Sequence, residues 1–378
     1  MIKSWLSNLE KKIEMVSAGD YTPEPFSFEQ ALVLVSHIYK AAVKARLWAY
    51  KTGIARQKKL PCFVISVGNI MVGGTGKTPV AVCLAEILIE MGLRPVVLSR
   101  GYKGSAGRQS LIVGDGRKVL IDQETAGDEP FMMASLKRFP VIIGKDRYAA
   151  GRLAMAHLGV DVMILDDGFQ HLALARELNL VLFDYDRPLG NGRMLPAGRL
   201  REMPGMSGER THAVIFTRCP EGAGKENLPD IAGRCYMDQP LFYTRHHPVL
   251  YRFYARHGTM EVPGHMDRLK GRKAVLFSGI ARNETFRETV AGFGVNVLAH
   301  LEFTDHYRYK RADFAKIRTK AEELGAELIL TTEKDWVKMD MGFDWEKDVG
   351  VIGIRVEFTK PDVFKRFLES KIKTGMHE

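Results

Sequence analysis

The sequence predicts an α/β protein. It should have a P-loop NTPase-like parallel sheet flanked by helices, a second and smaller α/β domain, and an amphipathic helix near the N-terminus. Three observations predict this. Residues 62–79, CFVISVGNIMVGGTGKTP, run from an apolar strand-like segment into glycines and then open a helix at Gly76-Lys77-Thr78. Beyond them, short apolar runs alternate with amphipathic segments in the rhythm of βαβ units. That rhythm lapses after residue 222 and restarts at residue 273.

A chain of 378 residues exceeds one typical domain. The pattern divides it into an N-terminal amphipathic membrane-interface region (1–60), a P-loop domain (61–238), an inter-domain connection (239–272) and a smaller α/β domain (273–378). With 46% hydrophobic and 26% charged residues the composition is that of an ordinary globular protein. The net charge of +10 points to anionic partners, whether nucleic acid, phosphorylated substrates or an anionic membrane surface. No nucleic-acid reader motif is recognisable, so nucleic acid is not expected as a partner, nor is an obligate protein partner. Cys62, Cys83, Cys219 and Cys235 form no Cys-x-x-Cys pair and suit a reducing compartment as inert thiols. No run of 18 apolar residues occurs, and residues 1–20 are too polar for a secretory signal, so a cytoplasmic protein is expected.

Taken in order, residues 5–16 read as a helix followed by a Thr-Pro-Glu-Pro break. From 28 to 51, Ala31, Leu34, Val35, Ile38, Ala42, Ala45 and Ala49 recur at helical spacing, with Lys40, Lys44 and Lys51 opposite. No acidic residue lies between Glu29 and Glu86. This pattern fits a helix lying in a membrane interface, and equally one packed on the protein with a solvated basic face.

In the glycine-rich loop, Met71, Val72, Gly73, Gly74, Thr75, Gly76, Lys77 and Thr78 are the expected nucleotide-binding residues. Gly73, Gly74 and Gly76 allow positive φ, which turns backbone N–H groups towards phosphate oxygens. Lys77 should reach the β- and γ-phosphates and Thr78 should offer a hydroxyl to Mg²⁺. The usual spacing has a glycine where this chain has Met71.

Buried parallel strands are expected at 94–99, 139–144, 160–165, 178–183 and 212–216. Ligands of such sheets sit beyond the carboxyl ends of the strands. The third of these runs ends in Asp166-Asp167-Gly168, which reads as a Walker B element holding Mg²⁺ near Thr78. Adjacent strand residues face opposite ways, so at most one of the two carboxylates should meet the metal directly. Residues 188–204, rich in turns and arginines, are too long for an ordinary connection; Arg193, Arg199 and Arg201 could clamp a phosphate or an acidic headgroup. Two strands near 241–244 and 250–254 fall in the connection. Strands at 273–278, 295–300, 327–330 and 351–356 and a closing helix at 364–372 complete the smaller domain.

Ordered along the chain are Ser66-Val67-Gly68-Asn69, Val72-Gly73-Gly74-Thr75-Gly76-Lys77-Thr78-Pro79, Leu98-Ser99-Arg100-Gly101-Tyr102 and Gly127-Asp128-Glu129-Pro130. Further on come Asp166-Asp167-Gly168-Phe169-Gln170-His171, Leu189-Gly190-Asn191-Gly192, Leu195-Pro196-Ala197-Gly198 and Thr331-Thr332-Glu333-Lys334-Asp335. This set, covering about residues 30 to 360, closely resembles the tetraacyldisaccharide 4′-kinases of lipid A biosynthesis. The resemblance implies ATP- and Mg²⁺-dependent phosphorylation of the 4′-hydroxyl of tetraacyldisaccharide 1-phosphate, an anionic glycolipid, to give lipid IVA. The implied workplace is the cytoplasmic face of the bacterial inner membrane, with the protein peripheral and ATP bound between the two α/β domains. By the same resemblance, Asp128 takes the proton of the attacking hydroxyl with His306 as its partner, and Lys77 has the phosphate-loop role. Asp166, Asp167 and Glu129 would join Thr78 around the metal, and Tyr102, Arg147 and Arg201 would contact substrate. The chain departs from the family at Arg199, where proline is common, and in a longer segment before residue 28. A membrane-positioning ATPase with a similar loop is the rival reading; such proteins carry lysine where this chain has Val72.

Overall fold

In the computed structural model, the residues described are 12–13, 15–17, 19, 21–224, 235–236, 238–256, 260–261, 266–280, 283–305, 307–339 and 342–376. Most of the helix expected at 5–16 therefore lies outside them. Helix α1 (Phe28–Lys51) begins at Ser27, whose side chain accepts from Gln30 N–H. The P-loop half follows with β1 (Phe63–Gly68), α2 (Lys77–Glu90), β2 (Pro95–Ser99), β3 (Leu111–Asp115), α3 (Asp128–Ser135) and β4 (Pro140–Ile143). It continues through α4 (Arg147–His157), β5 (Val162–Asp166), β6 (Leu178–Asp184) and β7 (Ala213–Thr217).

Strand β8 (Leu241–Tyr254) leads through the short β9 (Met260–Glu261) into the smaller half. There follow β10 (Lys273–Ser278), α5 (Asn283–Gly292), β11 (Asn296–Glu302), α6 (Arg311–Glu323), β12 (Leu328–Thr332), β13 (Asp348–Phe358) and α7 (Pro361–Met376). Among the described residues these strands form one sheet, ordered β11-β10-β12-β13-β8-β7-β6-β1-β5-β2-β4-β3, with β9 paired to β8.

Every pairing from β8 through β7, β6, β1, β5 and β2 to β4 is parallel, and β3 alone closes that edge antiparallel. The central strands β1, β2, β5 and β7 are buried at every position, as a parallel sheet covered on both faces requires. In the smaller half β10, β11, β12 and β13 are also parallel.

The stretch expected to be a connection carries the longest strand. Leu241, Phe242 and Tyr243 of β8 pair in parallel with β7, and Thr244 to Tyr254 pair antiparallel with β13. The two short strands expected there are one continuous element that belongs to both halves. The closing helix reaches back to the P-loop half: Phe364, Leu368 and Ile372 join its core with Phe63, Ile65, Leu180 and Ile215, while Phe364 also stacks on Phe358 of β13.

Helix α1 settles with its expected apolar stripe facing out. Leu34, Val35, Ile38 and Trp48 are exposed, whereas Leu32 is buried and Tyr39 and Val43 pack on the core beneath. No helix among the described residues is long and apolar enough to cross a membrane. The four cysteines are free; burial pushes the Cys62 and Cys83 thiols up to about 12 and that of Cys219 up to about 11, which suits inert side chains.

Candidate active site

The loop between β1 and α2 is built by tethering its carbonyls outward. Lys77 Nζ donates to Gly73 O at 3.3 Å, Arg218 Nη2 to Gly74 O at 2.8 Å, and Thr217 Oγ1 to Thr75 O at 3.0 Å. The Thr75 hydroxyl is in turn held by Asn69 at 2.8 Å. Gly73 and Gly76 take φ of 121° and 80°; Gly74, expected with them, does not have positive φ. Gly76 is the N-cap of α2 and supplies no side-chain cap, so the first-turn amides of the helix are left for an anion. A Cβ at Gly76 would also stand 3.0 Å from His246 Cε1 of strand β8, so the loop packs directly on the strand shared by both halves.

Two of the expected nucleotide ligands also make scaffold contacts. Met71 is buried in the core and bridges to Leu200, and the Val72 N–H donates to Arg199 O at 2.8 Å. The long arginine-rich loop is thus laid against the entry of the phosphate loop, fastened further by Arg201 N–H to Ile70 O at 2.7 Å.

At the end of β5 the adjacent carboxylates separate as alternation requires. Asp166 turns to Thr78, whose Oγ1 lies 3.3 Å from Asp166 Oδ2. Burial, followed by the charges of Glu129 and Asp167, pushes the Asp166 carboxyl up to about 7. Its Oδ1 is buried without a hydrogen-bond partner. Asp167, at φ 53°, turns to Arg201 Nη1 at 3.0 Å and Lys77 Nζ at 3.7 Å. Burial alone would raise its pKa, but these two cations outweigh burial and hold it below the usual carboxylate range. Arg201 also donates to Gln170 Oε1 at 3.1 Å. Arg147, buried beneath this cluster, donates to Gly144 O at 2.6 Å; burial brings its guanidinium down to about 10 despite the charge of Asp166.

On the other wall, Asp128 and Glu129 open α3. Gly127 sits at φ 88°, and a Cβ there would come 2.6 Å from Tyr102 O, so only glycine lets the loop after β2 lie on the start of this helix. Tyr102 itself is exposed. Asp128 Oδ1 accepts from Gln123 Nε2, and its Oδ2 lies 3.8 Å from Lys338 Nζ. Glu129 pairs with Lys334 at 3.3 Å. Residues of the smaller half thus stand against the carboxylates of the P-loop half. His306, expected as the partner of Asp128, lies outside the described residues.

A model of the family described as tetraacyldisaccharide-1-P 4′-kinase matches residues 28–373. The chain belongs to that family. It is 38% identical over 376 residues to the tetraacyldisaccharide 4′-kinase of Desulfatibacillum aliphaticivorans, covering 98% of this chain and 100% of the relative. It is 41% identical over 313 residues to that of Geobacter metallireducens, covering 82% and 88%. The crystal structure of "apo" form LpxK from Aquifex aeolicus in complex with ATP is similar with a TM-score of 0.72 and 30% identity. That match covers 92% of this chain and 100% of the other.

Within this member of the tetraacyldisaccharide-1-P 4′-kinase family, Lys77, Thr78, Asp166, Asp167 and Arg201 form one cluster, with Arg147 beneath it. Asp128 and Glu129 form a second wall. Sequence reasoning passed over Thr217, Arg218, Gln123 and Lys338. The first two end β7 next to the loop and could have been found by asking which polar residues terminate that strand. Lys338 had a fainter signal, its i,i+4 spacing from Lys334.

Proposed function

We propose that the chain transfers the γ-phosphoryl of ATP to the 4′-hydroxyl of tetraacyldisaccharide 1-phosphate, forming lipid IVA for lipid A. The observation that carries this reading is the Thr78–Asp166 contact at 3.3 Å, which joins the phosphate loop to the end of β5 at the floor of the site. The α2 amides and Lys77 bind the ATP phosphates. Thr78 and Asp166 are the residues that would hold Mg²⁺, because a buried hard oxygen without a partner fits such a cation and because Mg²⁺ takes few protein ligands beside phosphates. When bound, Mg²⁺ neutralises charge on the β- and γ-phosphate oxygens. Asp167 keeps Lys77 and Arg201 in place, and Glu129 adds negative charge near Asp166.

In the transfer, the 4′-oxygen attacks the γ-phosphorus, the bond to the β-phosphate oxygen breaks, and ADP leaves. The hydroxyl proton passes to Asp128, with His306 as its partner. A free carboxylate is a weak base for an alcohol, so transfer of the proton accompanies attack. Tyr102 and Arg201 are placed here on the acceptor side, and Arg147, buried beneath the Asp166–Asp167 cluster, acts on substrate only through that cluster. Helix α1 offers the lipid its entry: Arg46 donates to Gln170 O at 3.0 Å, so the exposed Leu34, Val35, Ile38 and Trp48 lie on an element fastened to the site. An apolar stripe in a region without acidic residues suits peripheral attachment to the anionic cytoplasmic face of the inner membrane.

The test is transfer from labelled ATP to tetraacyldisaccharide 1-phosphate in detergent micelles. Lipid-dependent labelling supports the reading. Steady ATP hydrolysis that ignores the lipid favours a membrane-positioning ATPase.

A further inference from the structure

Asp128 is fixed from both sides. Gln123, in the short turn Gln123–Ala126 that precedes α3, donates to Oδ1. Lys338 approaches Oδ2 from the smaller half at 3.8 Å, with its side chain only 6% exposed. Lys338 is itself anchored, since its Nζ lies 3.2 Å from Asp335 Oδ1. Asp335 is fully buried and accepts from Gly279 N–H at 2.9 Å and from Thr332 Oγ1 at 2.7 Å. The ammonium is therefore a charge at a fixed point, and the β10 and β12 strand ends hold it there. A flexible surface lysine would lose much of such an interaction to rotamer entropy and solvent screening. This one has been ordered in advance by the fold.

The far end of the same helix is held from the shared strand: Arg252 Nη2 of β8 donates to Ser135 O at 3.2 Å. Helix α3 is thus gripped by Lys338 at its first residue and by Arg252 at its last. A cation beside a helix N-terminus opposes the helix dipole, and only the carboxylates there make it favourable. At the N-terminal end the cations meet those carboxylates one to one, Lys338 with Asp128 and Lys334 with Glu129.

We propose that Gln123 and Lys338 are positioning residues for Asp128, each holding one carboxylate oxygen, so that the proton acceptor is correctly aimed only when the smaller half is seated against α3. The inference rests on the reading of Asp128 as the proton acceptor. The contact at 3.8 Å is electrostatic, so Lys338 orients the carboxylate without itself taking a hydrogen-bonding lone pair. Misaiming a reacting group by about 1 Å can cost on the order of 10²-fold in rate.

The experiment measures kcat and the ATP KM with the lipid acceptor for Gln123→Ala, Lys338→Gln, Lys338→Arg and Asp128→Asn, and for each of the first two combined with Asp128→Asn. Gln123→Ala and Lys338→Gln should each lower kcat by roughly 10- to 100-fold, with the ATP KM within about twofold of wild type. Lys338→Arg should recover most of the lost kcat, and neither substitution should slow Asp128→Asn further. Equal damage to kcat and to ATP binding, or losses that multiply with Asp128→Asn, overturn the proposal by making the two residues merely structural. If Lys338→Gln does not fold, as a melting curve will reveal, Gln123→Ala in its surface turn decides alone. An inactive Asp128→Asn beside positioning variants at wild-type kcat overturns this inference only. A fully active Asp128→Asn overturns the proton-acceptor reading, and this inference with it.

Discussion

Thr78 Oγ1 stands 3.3 Å from Asp166 Oδ2, and the other oxygen of the same carboxylate is buried with no partner. Both facts follow from a strand whose last residue is enclosed on each face. They make Asp166 costly in the protein without ligand and useful once a cation arrives.

Asp166→Asn should therefore stabilise the ligand-free protein in a pH-dependent way. The folded carboxyl is pushed from the usual carboxylate range up to about 7 by burial, then by the charges of Glu129 and Asp167. The folded state thus binds this proton more tightly than the unfolded state, and stability contributed by the residue falls as pH rises from about 4 to about 7. The melting temperature of Asp166→Asn should exceed that of wild type by more at pH 8 than at pH 5. Mg²⁺ with ATP should stabilise wild type and do much less for the variant. An equal gap at both pH values contradicts the assignment.

Lys77→Ala should lower transfer by about 10³-fold or more, since it removes charge aimed at the transferring phosphoryl group. The substitution also releases Gly73 O and leaves Asp167 with Arg201, so the fold should persist. Circular dichroism and turnover measured on the same preparation separate the two effects. Turnover near wild type removes Lys77 from the site.

Asp128→Ala and His306→Ala should each reduce turnover by roughly 10²–10⁴-fold, the span usual for proton-transfer groups. If the two act in one step, the double variant should be little worse than the poorer single one. Losses that multiply mean that the residues act independently.

The parallel strands were legible because burial on both faces leaves unbroken apolar runs, as in 162–165 and 274–277. The site was legible where its chemistry is compressed into neighbours, as at Gly76-Lys77-Thr78 and Asp166-Asp167. Strand β3 escaped because an antiparallel edge strand is only partly buried and its run is short. Strand β8 read as two pieces because Arg245, His246, His247 and Pro248 interrupt its apolar pattern, and proline ordinarily argues against a strand interior. Contacts such as Gln123 to Asp128 and Arg218 to Gly74 O are set by tertiary folding, and no spacing rule announces them.

Ile38→Asp combined with Leu34→Asp should weaken cosedimentation with anionic vesicles by about tenfold or more, because each buried aliphatic side chain contributes roughly 1.5–3 kcal/mol. Both side chains are exposed, so the melting temperature should hardly change. Unchanged vesicle binding at equal stability returns the helix to a purely structural role.

The product of the reaction separates a lipid kinase from an ATPase. Purified enzyme is incubated with ATP, Mg²⁺ and tetraacyldisaccharide 1-phosphate, ADP release is followed, and the lipid is analysed by mass spectrometry and phosphorus NMR. Kinase chemistry on this lipid gives one ADP per lipid phosphorylated, with the new phosphate on the 4′-oxygen and both signals reduced by roughly 10²–10⁴-fold in Asp128→Ala. ADP formed at the same rate without lipid, or a phosphate placed elsewhere on the disaccharide, contradicts the proposed transfer.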